Sequence, residues 1–426
     1  MATCTTKNKI FTVAILGVGS RGGDAYGLII NSQKDKFDIV ALCDTRQQRL
    51  ERFSQIFGVE KQLCFTDENE FFQQKRADVL IIATLDKDHV RQAIKAFELG
   101  YDVLLEKPIT DDKQECLQLL EAQQKSGRFG LVCHVLRYAP AFVKAGQLIQ
   151  EGTIGKLIAI NALEPVTFSH QSHSYVRGNW RKAAETTPMI LAKCCHDLDL
   201  LQYYANSKCK SISSVGDLSF FKAENAPEGA TTRCIDCPHQ DACPYSAKTL
   251  YIKWWHDYDC PEDYWPFNII APAPLTEEKL LNAIQNGPYG RCVFACDNDV
   301  VDHQMVQMTF ENGVKANLTM MAFVGTGGRK INFYGTHGDI ELNEATNKLT
   351  VTRFNIGCEE IPLSNLVEKG FGHGGGDHGI VNALYDILTG NATASSSLEA
   401  SIESHLMGIC AEESRKNGGE LIYLHK

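Results

Sequence analysis

Ile10-Phe11-Thr12-Val13-Ala14-Ile15-Leu16-Gly17-Val18-Gly19-Ser20-Arg21-Gly22 decides how this chain begins to fold. An apolar, β-branched run passes directly into three glycines at GxGxxG spacing, which reads as a buried strand turning sharply into a helix. Each glycine has its own reason. Gly17 makes the turn, Gly19 lets the backbone approach a pyrophosphate, and Gly22 lets helix and strand pack closely. Ser20 and Arg21 then stand at the helix start, where backbone N–H groups and the helix dipole favour negative charge.

Downstream, Phe37–Cys43, Ala77–Thr84 and Tyr101–Leu105 repeat the short apolar run, separated by helical spacing over Gln47–Phe57, Asp88–Leu99 and Asp111–Lys125. This is a βαβ series and implies a doubly wound parallel sheet, an α/β fold. Phe129–Leu136 is expected to add one more strand, so the first domain is set at residues 1–136. Asp44 ends the second strand 22 residues after Gly22, where a carboxylate holds the ribose diol of NAD and repels the extra phosphate of NADP. Arg46 argues the other way, since an arginine there can meet a 2′-phosphate, and NADP stays open.

Residues 137–426 change character. After a helix from Pro140 to Glu151, the segments His303–Phe310, Val314–Phe323, Lys330–Tyr334, Asp339–Asn343 and Lys348–Phe354 alternate apolar and polar positions at period two. An α+β second domain with a mostly antiparallel open sheet follows, closed by helices at Asp377–Leu388 and Leu398–Arg415. A Cys- and aromatic-rich insert occupies about 224–291.

Composition narrows the function. The chain has 426 residues and a formal net charge of −10, with no basic cluster to track a phosphate backbone, so nucleic acid is not an expected partner. No apolar run approaches the roughly 18 residues of a membrane helix, and the polar Met1–Lys9 lacks an apolar leader core. A cytoplasmic protein with reduced thiols is expected.

Glu106-Lys107-Pro108 closes the fourth expected strand, at the edge where open α/β sheets bind ligands. Together with the glycine loop, Ala83-Thr84 with His89, the Gly152, Gly155 and Lys156 link, and His196-Asp197-Leu198-Asp199-Leu200, it makes the chain resemble the Gfo/Idh/MocA oxidoreductases. The resemblance implies a Rossmann domain, an α+β domain whose open sheet forms homo-oligomers, and NAD(P)-linked chemistry on sugars, inositols and related polyols. It implies cofactor contacts at Gly17, Gly19, Ser20, Arg21, Gly22, Asp44, Thr84, Leu85, His89, Glu106 and Lys107. Lys107, the signature lysine, then sits near both nicotinamide and substrate, where an ammonium stabilises an alkoxide as hydride leaves.

The family's Asp-x-x-x-His motif is altered here. His196 is kept but Ala192 stands at the aspartate position. Lys193 lies three residues before His196, on the same face of a helix. A second lysine beside Lys107 is expected to lower one amine's pKa by like-charge repulsion, making Lys193 the base, with Lys107 holding the substrate oxygen and His196 donating to it. The alternative is that His196 caps the following helix.

His173, Arg177, Trp180 and Arg181 supply donors and an aromatic face suited to a sugar ring. His373 and Asp377, in a glycine-rich run, either bind hydroxyls or, for Asp377, cap the next helix. Cys234-x2-Cys237-x5-Cys243 has the close first pair of a structural zinc site, with Cys292, His239, Cys260 or Cys296 as fourth ligand and Cys292 taken as the choice. The leading function is a polyol dehydrogenase or reductase. An NAD-dependent glycosidase working by transient oxidation, or a non-catalytic dinucleotide sensor, are the alternatives.

Overall fold

The computed structural model describes residues 9–261, 264–272, 274–366 and 372–425. The expectation about an N-terminal leader rests on Met1–Lys9 and falls almost wholly outside them. Six parallel strands form the first sheet: β1 (Phe11–Leu16), β2 (Phe37–Cys43), β3 (Cys64–Phe65), β4 (Val79–Ile82), β5 (Asp102–Leu105) and β6 (Gly130–Val132), in the order β3-β2-β1-β4-β5-β6. The order reverses at β1 and β4, so the crevice for a ligand opens at their C-terminal ends. Val13, Ile15, Val79, Ile81 and Leu104 are completely or almost completely buried, because helices cover both faces.

The second sheet has nine strands: β7 (Leu157–Thr167), β8 (Cys209–Asp217), β9 (His303–Phe310), β10 (Lys315–Val324), β11 (Lys330–Gly335), β12 (Gly338–Asn343), β13 (Lys348–Arg353), β14 (Gly357–Pro362) and β15 (Ile422–Tyr423). Its order is β14-β13-β12-β11-β7-β10-β9-β8-β15. All neighbouring pairs are antiparallel except β7 with β10, which run parallel. Val306, Leu318, Met320, Ile331 and Phe333 point into a core shared with Leu198, Leu201 and Met407 of the helices Cys195–Ala205 and Leu398–Lys416. On the opposite face Val215, Met305, Phe323 and Tyr334 are exposed.

The two halves are not separable at residue 136. The helix Gly376–Leu388 puts Ile380, Val381, Leu384 and Tyr385 into the core of the first sheet with Phe11, Val13 and Phe37. Tyr385 meets the rings of Phe11 and Phe37 edge to face at 6.0 and 5.7 Å. The segment just before the last helix also returns to β6, where Val132 N–H donates to the Ser396 carbonyl at 3.0 Å. Arg137 ties this corner: its guanidinium is bidentate to Asp199 at 2.6 and 2.7 Å and donates to the Ser395 carbonyl at 2.6 Å. In space the first sheet borrows a helix from the C-terminal part of the chain. Among the described residues no helix is long and apolar enough to cross a membrane.

Candidate active site

Gly17 leaves β1 at φ +90°, where a side chain would be strained and its Cβ would stand 2.5 Å from the Ala83 carbonyl oxygen. Gly22 is equally constrained, with a Cβ falling 2.0 Å from the Gly17 oxygen. Gly19 differs. The nearest atoms to a Cβ there are those of the Arg49 guanidinium, at 3.1 Å, so the loop keeps a cradle bordered by a movable cation at the start of the wide helical turn Ser20–Gly27. Asp44, buried at the end of β2, accepts from the Arg46 N–H at 2.9 Å and lies 3.6 Å from the Arg49 guanidinium. Arg46 thus gives Asp44 its backbone while its side chain is exposed. Sequence reading passed over Arg49, although its place in the first turn after β2 was available as a signal. Cradle, helix start and buried carboxylate fit a pyrophosphate and a ribose diol.

Behind the loop a buried polar cluster joins three distant parts of the chain. Arg21 Nε donates to Glu106 Oε1 at 2.7 Å and Nη2 to Asp377 Oδ1 at 2.7 Å, while Tyr26 OH donates to Glu106 at 2.8 Å. Burial alone would raise the Glu106 carboxyl, but Arg21 and Lys107 outweigh it and hold it below the usual range. Asp377, also pushed upward by burial, is held below its usual range by the hydrogen bond from His373 and by Arg21. The capping expectation for Asp377 is corrected: Gly375 occupies the cap position, and the carboxylate faces Arg21 and His373 instead. A buried guanidinium needs a counter-charge more than the helix needs a cap.

Lys107 stands at the mouth of this cluster. Its N–H donates to Glu106 Oε2 at 2.9 Å, and its ammonium reaches the Ala192 carbonyl at 3.4 Å. The altered position thus presents its backbone oxygen to Lys107. His196, four residues on, is 6% exposed, and its Nδ1 has no hydrogen-bond partner among the described residues. Burial first, and then the Lys107 ammonium, keep its imidazole neutral, well below the ordinary histidine range. Its ring lies 5.9 Å from that of His134 and 6.4 Å from that of His373.

The expected pair of mutually repelling lysines does not form as anticipated. Lys193 is ion-paired to Glu164 at 3.2 Å, and Glu164 is shared with Arg329 at 2.9 Å. Arg329 also donates to Asp197 at 2.8 Å. Sequence reading missed Glu164 and Arg329, which lie on or beside strands far from the histidine motif. Burial pushes the Asp197 carboxyl up to about 6, since one guanidinium serves two carboxylates.

The remaining candidates separate. Thr84 donates to Gln92 at 2.6 Å and Leu85 is exposed. His89 is buried, donating through Nδ1 to the Pro108 carbonyl at 2.7 Å and facing the Thr84 carbonyl through Nε2 at 3.3 Å. It therefore fixes the β4 and β5 loops to each other. Trp180 donates to Asp86 at 3.2 Å, which brings the second domain onto the β4 loop. His173 is buried against the insert, stacked on Tyr289 at 4.6 Å and bonded to Tyr251 OH at 3.0 Å. Arg181 pairs with Asp297 at 2.9 Å. Arg177, expected among the substrate ligands, is instead 1% exposed and donates to the carbonyls of Arg291 and Tyr245, both at 2.7 Å. These bonds bind the insert together. Cys234, Cys237, Cys243 and Cys292 line one cavity together with His239, which donates to the Glu228 carbonyl, whereas Cys260 is exposed.

Comparison with known proteins places these features. A family model described as an oxidoreductase family with an NAD-binding Rossmann fold matches residues 11–134, and the corresponding C-terminal alpha/beta domain matches 147–422. YteT of Bacillus subtilis, which is named as an oxidoreductase, is 23% identical over 90% of this chain and 92% of its own. Inositol 2-dehydrogenase of Salmonella typhimurium is 24% identical over 46% of this chain and 55% of its own. The solved structure of a levoglucosan dehydrogenase with NADH superposes with a TM-score of 0.71 at 16% identity, covering 98% of this chain and 100% of the other.

Proposed function

Since the chain belongs to the Gfo/Idh/MocA family of NAD-binding oxidoreductases, we propose that it transfers hydride between NAD and a hydroxyl-bearing carbon of a sugar, cyclitol or related polyol. The observation that carries this reading is the convergence of Lys107, from the end of β5, with His196, from the second domain, beside the cluster that backs the glycine loop. NAD, when bound, accepts the hydride. Gly17, Gly19, Ser20, Arg21 and Gly22 form the loop that holds its pyrophosphate, and Asp44 takes the ribose.

Lys107 donates to the substrate oxygen and stabilises negative charge there as the C–H bond breaks. His196 takes the hydroxyl proton: its Nδ1 is unpartnered and its ring is held neutral. A base must begin unprotonated and within reach, and Lys193, already paired with Glu164, is better placed to donate to a neighbouring hydroxyl. This moves the base from the lysine expected on sequence grounds to the histidine. His373, whose ring lies 6.4 Å from that of His196, supplies a further donor there.

Incubating the purified chain with NAD and a panel of inositols, aldoses, anhydrosugars and aryl glycosides tests the reading. NADH accumulation with a polyol or sugar is expected. Cleavage of an aryl glycoside with NAD required but no net NADH formed would replace it with the transient-oxidation glycosidase.

A further inference from the structure

Arg177 poses an electrostatic problem that its hydrogen bonds leave unsolved. Its side chain is among the largest fully buried ones, yet among the described residues it forms no ion pair with a carboxylate. Nε and Nη2 go to the Arg291 and Tyr245 carbonyls, Nη2 also contacts Cys234 Sγ at 3.4 Å, and Nη1 has no partner. A guanidinium always carries its charge, and burying that charge without an opposite one is strongly destabilising. Something anionic belongs beside it.

The neighbours identify what that is. Arg177, Cys234, Cys237, Cys243 and Cys292 line a single cavity of about 20 Å³, the room of one water molecule or ion. Cys243 and Cys292 each lie within electrostatic reach of both Cys234 and Cys237. The backbone brings the two cysteine segments together, since Arg233 and Arg291 form an isolated antiparallel bridge and Cys292 N–H donates to the Thr232 carbonyl at 2.9 Å. Of the other candidate ligands, His239 also borders the cavity but its Nε2 is engaged by the Glu228 carbonyl at 2.7 Å, Cys260 is exposed beside His256, and Cys296 does not line the cavity.

We propose that Cys234, Cys237, Cys243 and Cys292 bind one zinc ion as a tetrathiolate, with Arg177 as the buried counter-charge. Four thiols each release a proton on binding, so the Zn²⁺ centre carries a net charge of −2, which Arg177 halves. The thiols border the cavity without being gathered to ligand spacing: among the described residues no three His, Cys, Asp or Glu side chains are close enough to hold an ion. Binding therefore draws the four sulfurs inward to about 2.3 Å from the metal. That contraction locks a segment with few regular elements and fixes the wall on which Tyr251 and Tyr289 hold His173.

Two measurements on the full chain decide this. Metal analysis of protein purified without chelator from zinc-supplemented cells should find about one zinc per chain, falling below about a tenth in Cys237→Ser and Cys292→Ser and unchanged in Cys260→Ser and Cys296→Ser. Wild-type protein stripped under reducing conditions should take up one Co²⁺ with an intense thiolate-to-metal charge-transfer band and tetrahedral ligand-field bands, a readout independent of whether the serine variants fold. Absence of zinc together with no charge-transfer band on Co²⁺ addition would overturn the proposal. So would iron with acid-labile sulfide in place of zinc, or zinc that persists in the Cys237→Ser/Cys292→Ser double variant.

Discussion

His196 shows how much one buried side chain carries. Its environment favours the neutral imidazole through burial and the Lys107 ammonium, so the acid limb of a kcat profile should lie below the ordinary histidine range near 6.5. Replacing it by Asn removes the proton acceptor and should lower kcat by about 10²–10⁴-fold with NAD affinity unchanged, measured by stopped-flow kinetics and dinucleotide titration. Lys193→Met should mainly raise KM, because Lys193 and Glu164 form a polar wall. A dead Lys193→Met beside an active His196→Asn would return the role of base to the lysine. The histidine itself was legible in the sequence; its partners were not. Glu164 and Arg329 become neighbours of Lys193 only through the pairing of β7 with β10 and β11, and no local spacing announces such a contact.

At the scale of the element, the glycine loop is the most exacting piece of backbone. Gly17→Ala would put a Cβ 2.5 Å from the Ala83 oxygen at φ +90°, and the β1–β4 crevice must open to accept it. NAD affinity should fall at least tenfold by calorimetry while the thermal midpoint drops by only a few degrees, since strain of about 1–3 kcal/mol at one residue is small against the whole. The strands of the first sheet were readable because burial on both faces leaves short, wholly apolar runs; β1, β2, β4 and β5 lie where those runs predicted. The helix expected at Asp111–Lys125 is found at Lys113–Ser126, with Asp112 accepting from Gln114 and Glu115 N–H as its cap. By contrast β7, at the centre of the second sheet, went unread. Its Leu157–Thr167 contains Glu164 and Pro165, both unfavourable for an interior strand on pattern alone, and Glu164 is tolerated there because Lys193 and Arg329 neutralise it. The mainly antiparallel character of that sheet was nonetheless legible from the period-two alternation of β9 to β13.

The molecule as a whole should be sensitive to acid. His134, His173, His196 and His405 are buried and held neutral by desolvation, with His173 and His405 brought down to about 3. Unfolding exposes them, and below about pH 6.5 the unfolded chain takes up protons that the folded chain refuses, so stability falls as pH drops. Asp197 and Asp199, raised by burial, work in the opposite sense. The lowered histidines outnumber the two raised acids, so the net effect is a loss of stability as the pH falls. Calorimetry should show the thermal midpoint falling steeply between about pH 6.5 and 4.5; a flat profile there would mean that these histidines are protonated in the folded protein. The helix Gly376–Leu388, which the first sheet borrows, has a further consequence for how the protein is made. Phe37 and Tyr385 touch in the finished core but are 348 residues apart along the chain. At ribosomal speeds of about 5–20 residues per second, the first sheet, complete once Val132 is made, waits roughly 10–50 s with one apolar face uncovered before that helix is synthesised. During that interval it is a natural client for chaperones, and a ribosome stalled before residue 376 would display a nearly complete nucleotide fold that cannot yet close.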